Sequence, residues 1–176
     1  MDRLATAIEK MHSPCVVGLD PWPEVIPRQV LEDVSSAESL AEAYADFSRV
    51  IIDAVSDIVP AVKPQIAMYE ALGPAGISVY CRTTRYAQER GLYVIGDIKR
   101  GDIGSTAQAY AAHLSGIPGI SGQEADVWHE DAVTVSPYLG IDGIRPFIEA
   151  VERNDKDIFV LCRTSNPSSA QLQDLD

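Results

Sequence analysis

Asp97, Lys99 and Asp102 stand within six positions of one another in the stretch GDIKRGDIGSTAQAY, residues 96–110. Two carboxylates around one ammonium, directly after the apolar run Leu92–Ile95, suit proton transfer at a carbon that gains negative charge. The acids would keep the lysine charged and aimed, and the lysine would stabilise the developing charge and deliver a proton. The plainer alternative is a solvated turn with incidental ion pairs. Asp97 and Lys99 are two apart, so on an extended strand both side chains project from one face. Burying them there is costly unless they pair with each other or with a ligand. Gly101 and Gly104 let the backbone turn and aim Asp102 back toward the strand end or toward a neighbouring subunit. Lys63 and Asp20 close two other apolar runs, which favours a site over a surface turn.

The elements that must position these groups are legible as an alternation. Five apolar runs read as buried strands: Cys15–Asp20, Ile58–Lys63, Leu92–Lys99, Ala132–Pro137 and Ile158–Arg163. Helical periodicity fills most of the gaps. Leu40, Tyr44, Phe47, Ile51, Val55 and Ile58 recur at helical spacing, and Ser35 with Glu38 reads as a capping box. Pro74 and Gly91 bracket a second helix. A third begins near Ser105, and GIRPFIEAVERN forms a fourth, with Pro146 expected in its first turn. Residues 115–131 break the rhythm and read as a loop with a short irregular helix and no function.

Strand–helix units repeated this way imply a parallel sheet with right-handed crossovers. An open doubly wound sheet would gather its polar residues at one switch point. Here Asp20, Lys63, Asp97 with Lys99, Ser136 and Ser165 each fall at or just past the end of a different strand, as in a (β/α)8 barrel of the TIM type. No GxGxxG or Walker loop is present. The fold class is therefore α/β, a (β/α)8 TIM barrel with about its first five β/α units in one domain, residues 1–176.

Composition removes several function classes. The formal charge of -12 offers no net attraction to a phosphate backbone, so nucleic acid is not an expected partner. No apolar run approaches the ~20 residues that cross a bilayer. The start, MDRLATAIEKMHSP, lacks an apolar signal core, and Cys15, Cys81 and Cys162 form no CxxC pair, so reduced thiols and a cytoplasmic location are expected. His12, His113 and His129 share no ligand spacing, and no metal is expected. Trp22 and Trp128 read as packing residues, and the acidic scatter through 24–57 as a solvated helical face.

The segment GDIKRGDIGSTAQAY resembles the D-x-K-x-x-D-I-x-x-T signature of orotidine 5'-phosphate decarboxylase. VVGLDPWPEVIP, VKPQIAMYE, DAVTVSPYLG and VLCRTSNPS resemble further segments of its longer bacterial subgroup, in order along the chain. The resemblance implies decarboxylation of orotidine 5'-monophosphate to uridine 5'-monophosphate in pyrimidine biosynthesis, without a cofactor. By the same resemblance, Asp20 and Lys63 would hold ribose hydroxyls, Asp97 would lie against the substrate carboxylate, and Lys99 would be the proton donor. Asp102, Ile103 and Thr106 would reach the site of a partner subunit in a homodimer, and Ser165 would bind the pyrimidine, with Ser136 beside it. A typical barrel needs about 250 residues, so a chain ending at Asp176 reads as truncated at its C-terminus. The Gly-rich turn and Arg that the family places on the phosphate would lie on later strands. Two alternatives remain: an inactive half-barrel that acts by oligomerisation, and a magnesium-dependent sugar-phosphate decarboxylase or synthase sharing only the D-x-K-x-x-D core.

Overall fold

The computed structural model describes residues 2–118 and 124–174. Five strands form one parallel sheet: β1 (Val16–Leu19), β2 (Ala61–Pro64), β3 (Tyr93–Arg100), β4 (Ala132–Val135) and β5 (Asp157–Val160). Their spatial order is their chain order. A doubly wound sheet must reverse direction at a switch point, and this sheet never does. The consecutive order is that of a partial barrel.

The strand registers separate two faces. Val16 pairs with Ala61, Ala61 with Tyr93, Ile95 with Ala132, and Ala132 with Asp157, so these residues line one face. At its amino-terminal end this face is covered by helix α1 (Asp2–Met11), whose Leu4 packs with Ala61, Tyr93, Ile95 and Ala132. Arg3 anchors the helix by donating to Asp131 Oδ1 at 2.7 Å. The opposite face carries Leu19, Val62, Val94, Val133 and Val135, all buried. It is covered by α2 (Ala37–Val55), α3 (Gly73–Glu89), α4 (Gly104–Ser115) and α5 (Ile141–Asn154), with α2 against α3 and α4 against α5.

Several boundaries differ from the sequence reading, each for a local reason. The N-cap of α2 is Ser36 rather than Ser35: its hydroxyl accepts from Ser39 N at 3.1 Å, and Ser39 Oγ accepts from Ser36 N at 3.0 Å. The deepest stripe of α2 is Ala41, Tyr44, Ser48 and Ile52, because Ser48 is satisfied by Tyr69 OH at 3.1 Å and can be buried. Ile58 belongs to the turn after α2 and is 59% exposed. Pro146 sits in the second turn of α5, since that helix begins at Ile141. Between 115 and 131 the described residues hold no irregular helix. Ile117–Pro118 instead pairs antiparallel with Glu124–Ala125. Trp128 does pack, stacked on the His113 ring with centroids 4.0 Å apart. Trp22 does not: it is 51% exposed, in a turn held by Val25 N and Ile26 N donating to its carbonyl.

The largest cluster joins Ile66, Tyr69, Tyr80, Ile98, Val133, Val135, Ile144 and Phe147 between sheet and helices. Phe147 is fully buried there. Phe147→Ala should therefore lower unfolding free energy by about 3–5 kcal/mol, read as a shifted midpoint with unchanged slope in urea. A loss below about 1 kcal/mol would place the ring outside the cooperative core.

Candidate active site

β3 does not stay regular to its end. Gly96 pairs with Val133 and Arg100 with Val135, so four steps along β3 match two along β4. The surplus is a bulge over Asp97–Lys99, with Lys99 in the left-handed region at φ 45°. Simple strand alternation therefore does not set the Asp97–Lys99 geometry, contrary to the sequence reading. A hydroxyl from β4 secures the bulge instead. Thr134 Oγ1 accepts from the Lys99 backbone N at 3.0 Å and donates to Asp97 Oδ1 at 2.9 Å.

Asp97 is the centre of the arrangement. Its side chain is 6% exposed, and both oxygens are fully engaged. Lys63 Nζ at 2.6 Å and Gln65 Nε2 at 3.0 Å donate to Oδ2; Lys99 Nζ and the Thr134 hydroxyl donate to Oδ1. Burial alone would raise the pKa of this carboxyl, but the hydrogen bonds from Lys63, Lys99 and Thr134 outweigh it. They hold the group below its ordinary range. The carboxylate is thus kept ionised in the interior, while both ammonium groups remain partly open to the mouth formed by the strand ends.

The other sequence-derived residues occupy different parts of the same edge. Gly18 pairs with Lys63, and a Cβ at Gly18 would lie 2.7 Å from Asp20 Oδ2, so the Asp20 carboxylate folds over the strand beside the lysine. Ser136 is half-buried just past β4, its N donating to Arg100 O at 2.8 Å. Asp102 Oδ1 accepts from Ile103 N at 2.7 Å, and Ile103 and Thr106 are exposed at the start of α4. Ser165 is exposed in the segment after β5. Among the described residues, no hydrogen bond joins Asp102, Ile103, Thr106 or Ser165 to the Asp97 cluster. Gln65 and Thr134 were not singled out from sequence. The available signal was parity: Gln65 is two past Lys63, and Thr134 two before Ser136. Among the described residues, no group of three or more His, Cys, Asp or Glu is placed to hold a metal ion. No described helix is long and apolar enough to cross a membrane.

A singly wound parallel sheet with its buried ion cluster at the carboxyl ends of adjacent strands places this chain in the (β/α)8-barrel class. Residues 16–176 match the model of the orotidine 5'-phosphate decarboxylase / HUMPS family, and the chain belongs to that family. A relative from Rhodopirellula baltica, named orotidine 5'-phosphate decarboxylase, is 47% identical over 98% of this chain and 57% of its own length. One of the same name from Petrotoga mobilis is 42% identical over 98% of this chain and 55% of its own. The solved Leishmania donovani OMP decarboxylase superposes with a TM-score of 0.76 at 31% identity, covering 99% of this chain and 58% of that one. The chain spans little more than half the length of the curated relatives it matches.

The lowered Asp97 pKa fixes the sign of a pH effect. Its contribution to stability is fully present above the unfolded value of about 3.9 and is lost as pH falls through the lower folded value. The stability gap between wild type and Asp97→Asn should be flat above about pH 5 and should close in more acid solution. Urea denaturation at a series of pH values reads this directly. A gap that widens on acidification would mean the folded pKa is raised instead.

Proposed function

We propose that this chain carries the proton-donor half of a decarboxylase acting on orotidine 5'-monophosphate, without a cofactor. The observation that supports this most is the Lys99 ammonium, held against a buried, ionised Asp97 at the mouth of the barrel strands. Loss of carbon dioxide from the substrate leaves a carbanion at carbon 6 of the pyrimidine, with no adjacent carbonyl placed to absorb the charge. Lys99 stabilises that charge as it develops and then supplies the proton. Asp97 lies against the departing carboxylate. At ~4 Å and an effective dielectric of about 20, their repulsion is on the order of 4 kcal/mol. Enzymes commonly lower barriers by about 8–23 kcal/mol, so repulsion is the smaller contribution. The ammonium, together with binding energy from ribose and phosphate, supplies the larger one.

Asp20 and Lys63 hold the ribose hydroxyls in this reading, and Ser136 and Ser165 serve the pyrimidine side. Asp102, Ile103 and Thr106 serve a second subunit. Their place on an exposed rim with Tyr138, Leu139 and Ile141, all more than 45% exposed, supports a homodimer.

The activity test uses this chain fused in frame to the C-terminal part of the Rhodopirellula baltica relative. Lys99→Ala should reduce turnover on the order of 10⁴-fold or more with circular dichroism unchanged, and the unsubstituted fusion should tolerate EDTA. Substantial turnover by Lys99→Ala would remove the assignment, and loss of activity in EDTA restored by magnesium would favour the sugar-phosphate branch.

The shared site has its own test in the same fusion. Inactive Lys99→Ala chains mixed with inactive Asp102→Ala chains should regain activity, because a mixed dimer holds one site free of both defects. No recovery, once subunit exchange is demonstrated, would assign Asp102 to its own chain's site.

A further inference from the structure

Behind the bulge, on the side of β3 that faces the helices, lies a second ionisable cluster that the chemistry above does not use. Glu130, just before β4, is fully buried. One carboxylate oxygen accepts from the Tyr80 hydroxyl on α3, and Oε2 lies 2.7 Å from His113 Nδ1 on α4. Burial, and then the neighbouring Glu130 charge, push the Tyr80 hydroxyl well above its ordinary pKa, so it stays a donor. His113 is held flat against Trp128, and the Glu130 carbonyl accepts from Lys156 Nζ at 2.6 Å. The group is satisfied from every side.

What it presses on is Gly96. A Cβ at that position would lie 2.1 Å from Glu130 Oε1 and 2.4 Å from its carboxyl carbon. The carboxylate therefore occupies the space that a side chain would take, against the backbone of the residue before Asp97. Gly96 is also the last residue of β3 in regular register before the bulge departs. Glu130 thus links three things: the origin of the Lys99 bulge, the helix that follows the bulge, and the preceding helix of the barrel layer.

We propose that Glu130, held between Tyr80 and His113, is a positioning residue that fixes where the Lys99 bulge leaves the sheet. It does not touch the mouth; it acts through Gly96 on the placement of the Asp97 carboxylate and the Lys99 ammonium. A misplacement of such groups by about 1 Å is enough to cost on the order of 100-fold in rate. The catalytic consequence rests on the decarboxylase reading, but the positioning itself does not.

The test is therefore made first on the 176-residue chain, by amide hydrogen exchange, with the Lys99 amide as reporter because it donates to Thr134 Oγ1 inside the bulge. Glu130→Ala should speed Lys99 exchange by about tenfold or more relative to Val62 in β2. Glu130→Gln, which can still accept from Tyr80 and can donate to His113 Nδ1 in one ring tautomer, should stay within about threefold of wild type. Equal acceleration at Lys99 and Val62 would make Glu130 a general stability residue and overturn the proposal, as would an unchanged Lys99. If Glu130→Ala does not fold, Gly96→Ala serves instead, since its methyl displaces the carboxylate from the strand, and the same localised effect is expected. In the fusion, kcat should fall with KM little changed. A localised exchange effect in a chain whose fusion shows no turnover would still support the positioning role and would count against the decarboxylase reading alone.

Discussion

One buried carboxylate sets the requirements for the rest of the structure. Asp97 is almost wholly removed from water yet kept ionised. A lone carboxylate in that position would cost several kcal/mol or take up a proton. It is stabilised only because four donors converge on it, two of them cations, from β2 and the residue just past it, β3 and β4. That convergence requires three strands to be adjacent, parallel and in register, and the chain-order sheet provides it. The fold is thus the means by which a charge is buried without being neutralised.

Keeping the cluster at the strand ends has a local cost. Lys99 adopts a left-handed backbone conformation, which for a residue of this kind costs of order 1–3 kcal/mol. A charge-assisted hydrogen bond returns about 1.5–3 kcal/mol, and the bulge allows Lys99 Nζ to reach Asp97 while its backbone N reaches Thr134. The two are of similar size, so the bulge is tolerated rather than favoured on local terms. Its gain lies in placement: a straight strand would leave the ammonium wherever the pleat pointed it, whereas the bulge holds it at the rim of the mouth.

The architecture was legible from sequence, as was the meeting of Lys63, Asp97 and Lys99 at the strand ends, because both rest on short-range pattern. Strand ends carrying Asp20, Lys63, Asp97 and Lys99 distinguish a barrel from an open sheet, and the strand order agrees. Element boundaries were less legible, since they depend on competition between neighbouring caps; Ser36 prevails over Ser35 because Ser39, not Glu38, completes the reciprocal pair. Thr134 and Gln65 escaped notice because a neutral residue on a strand or just past its end carries no chemical signal until its neighbour is known. Glu130 was less visible still. Its role depends on the absence of a side chain at Gly96, thirty-four positions away, and no local pattern encodes that.

The two clusters on either side of β3 leave that strand no room for a side chain at Gly96. On the mouth side the strand must deliver a carboxylate and a lysine to one point. On the helix side it must stay close enough to α3 and α4 for Tyr80 and His113 to satisfy Glu130. A larger residue at position 96 would separate the strand from Glu130, leaving a buried charge with partners but no fit, or would push the bulge toward the mouth. Either movement acts on Asp97 through a single peptide unit. Since Asp97 and Lys99 share a hydrogen bond, they move together, and error on the helix side becomes error at the ammonium. Glu130 is therefore under as tight a geometric constraint as Asp97.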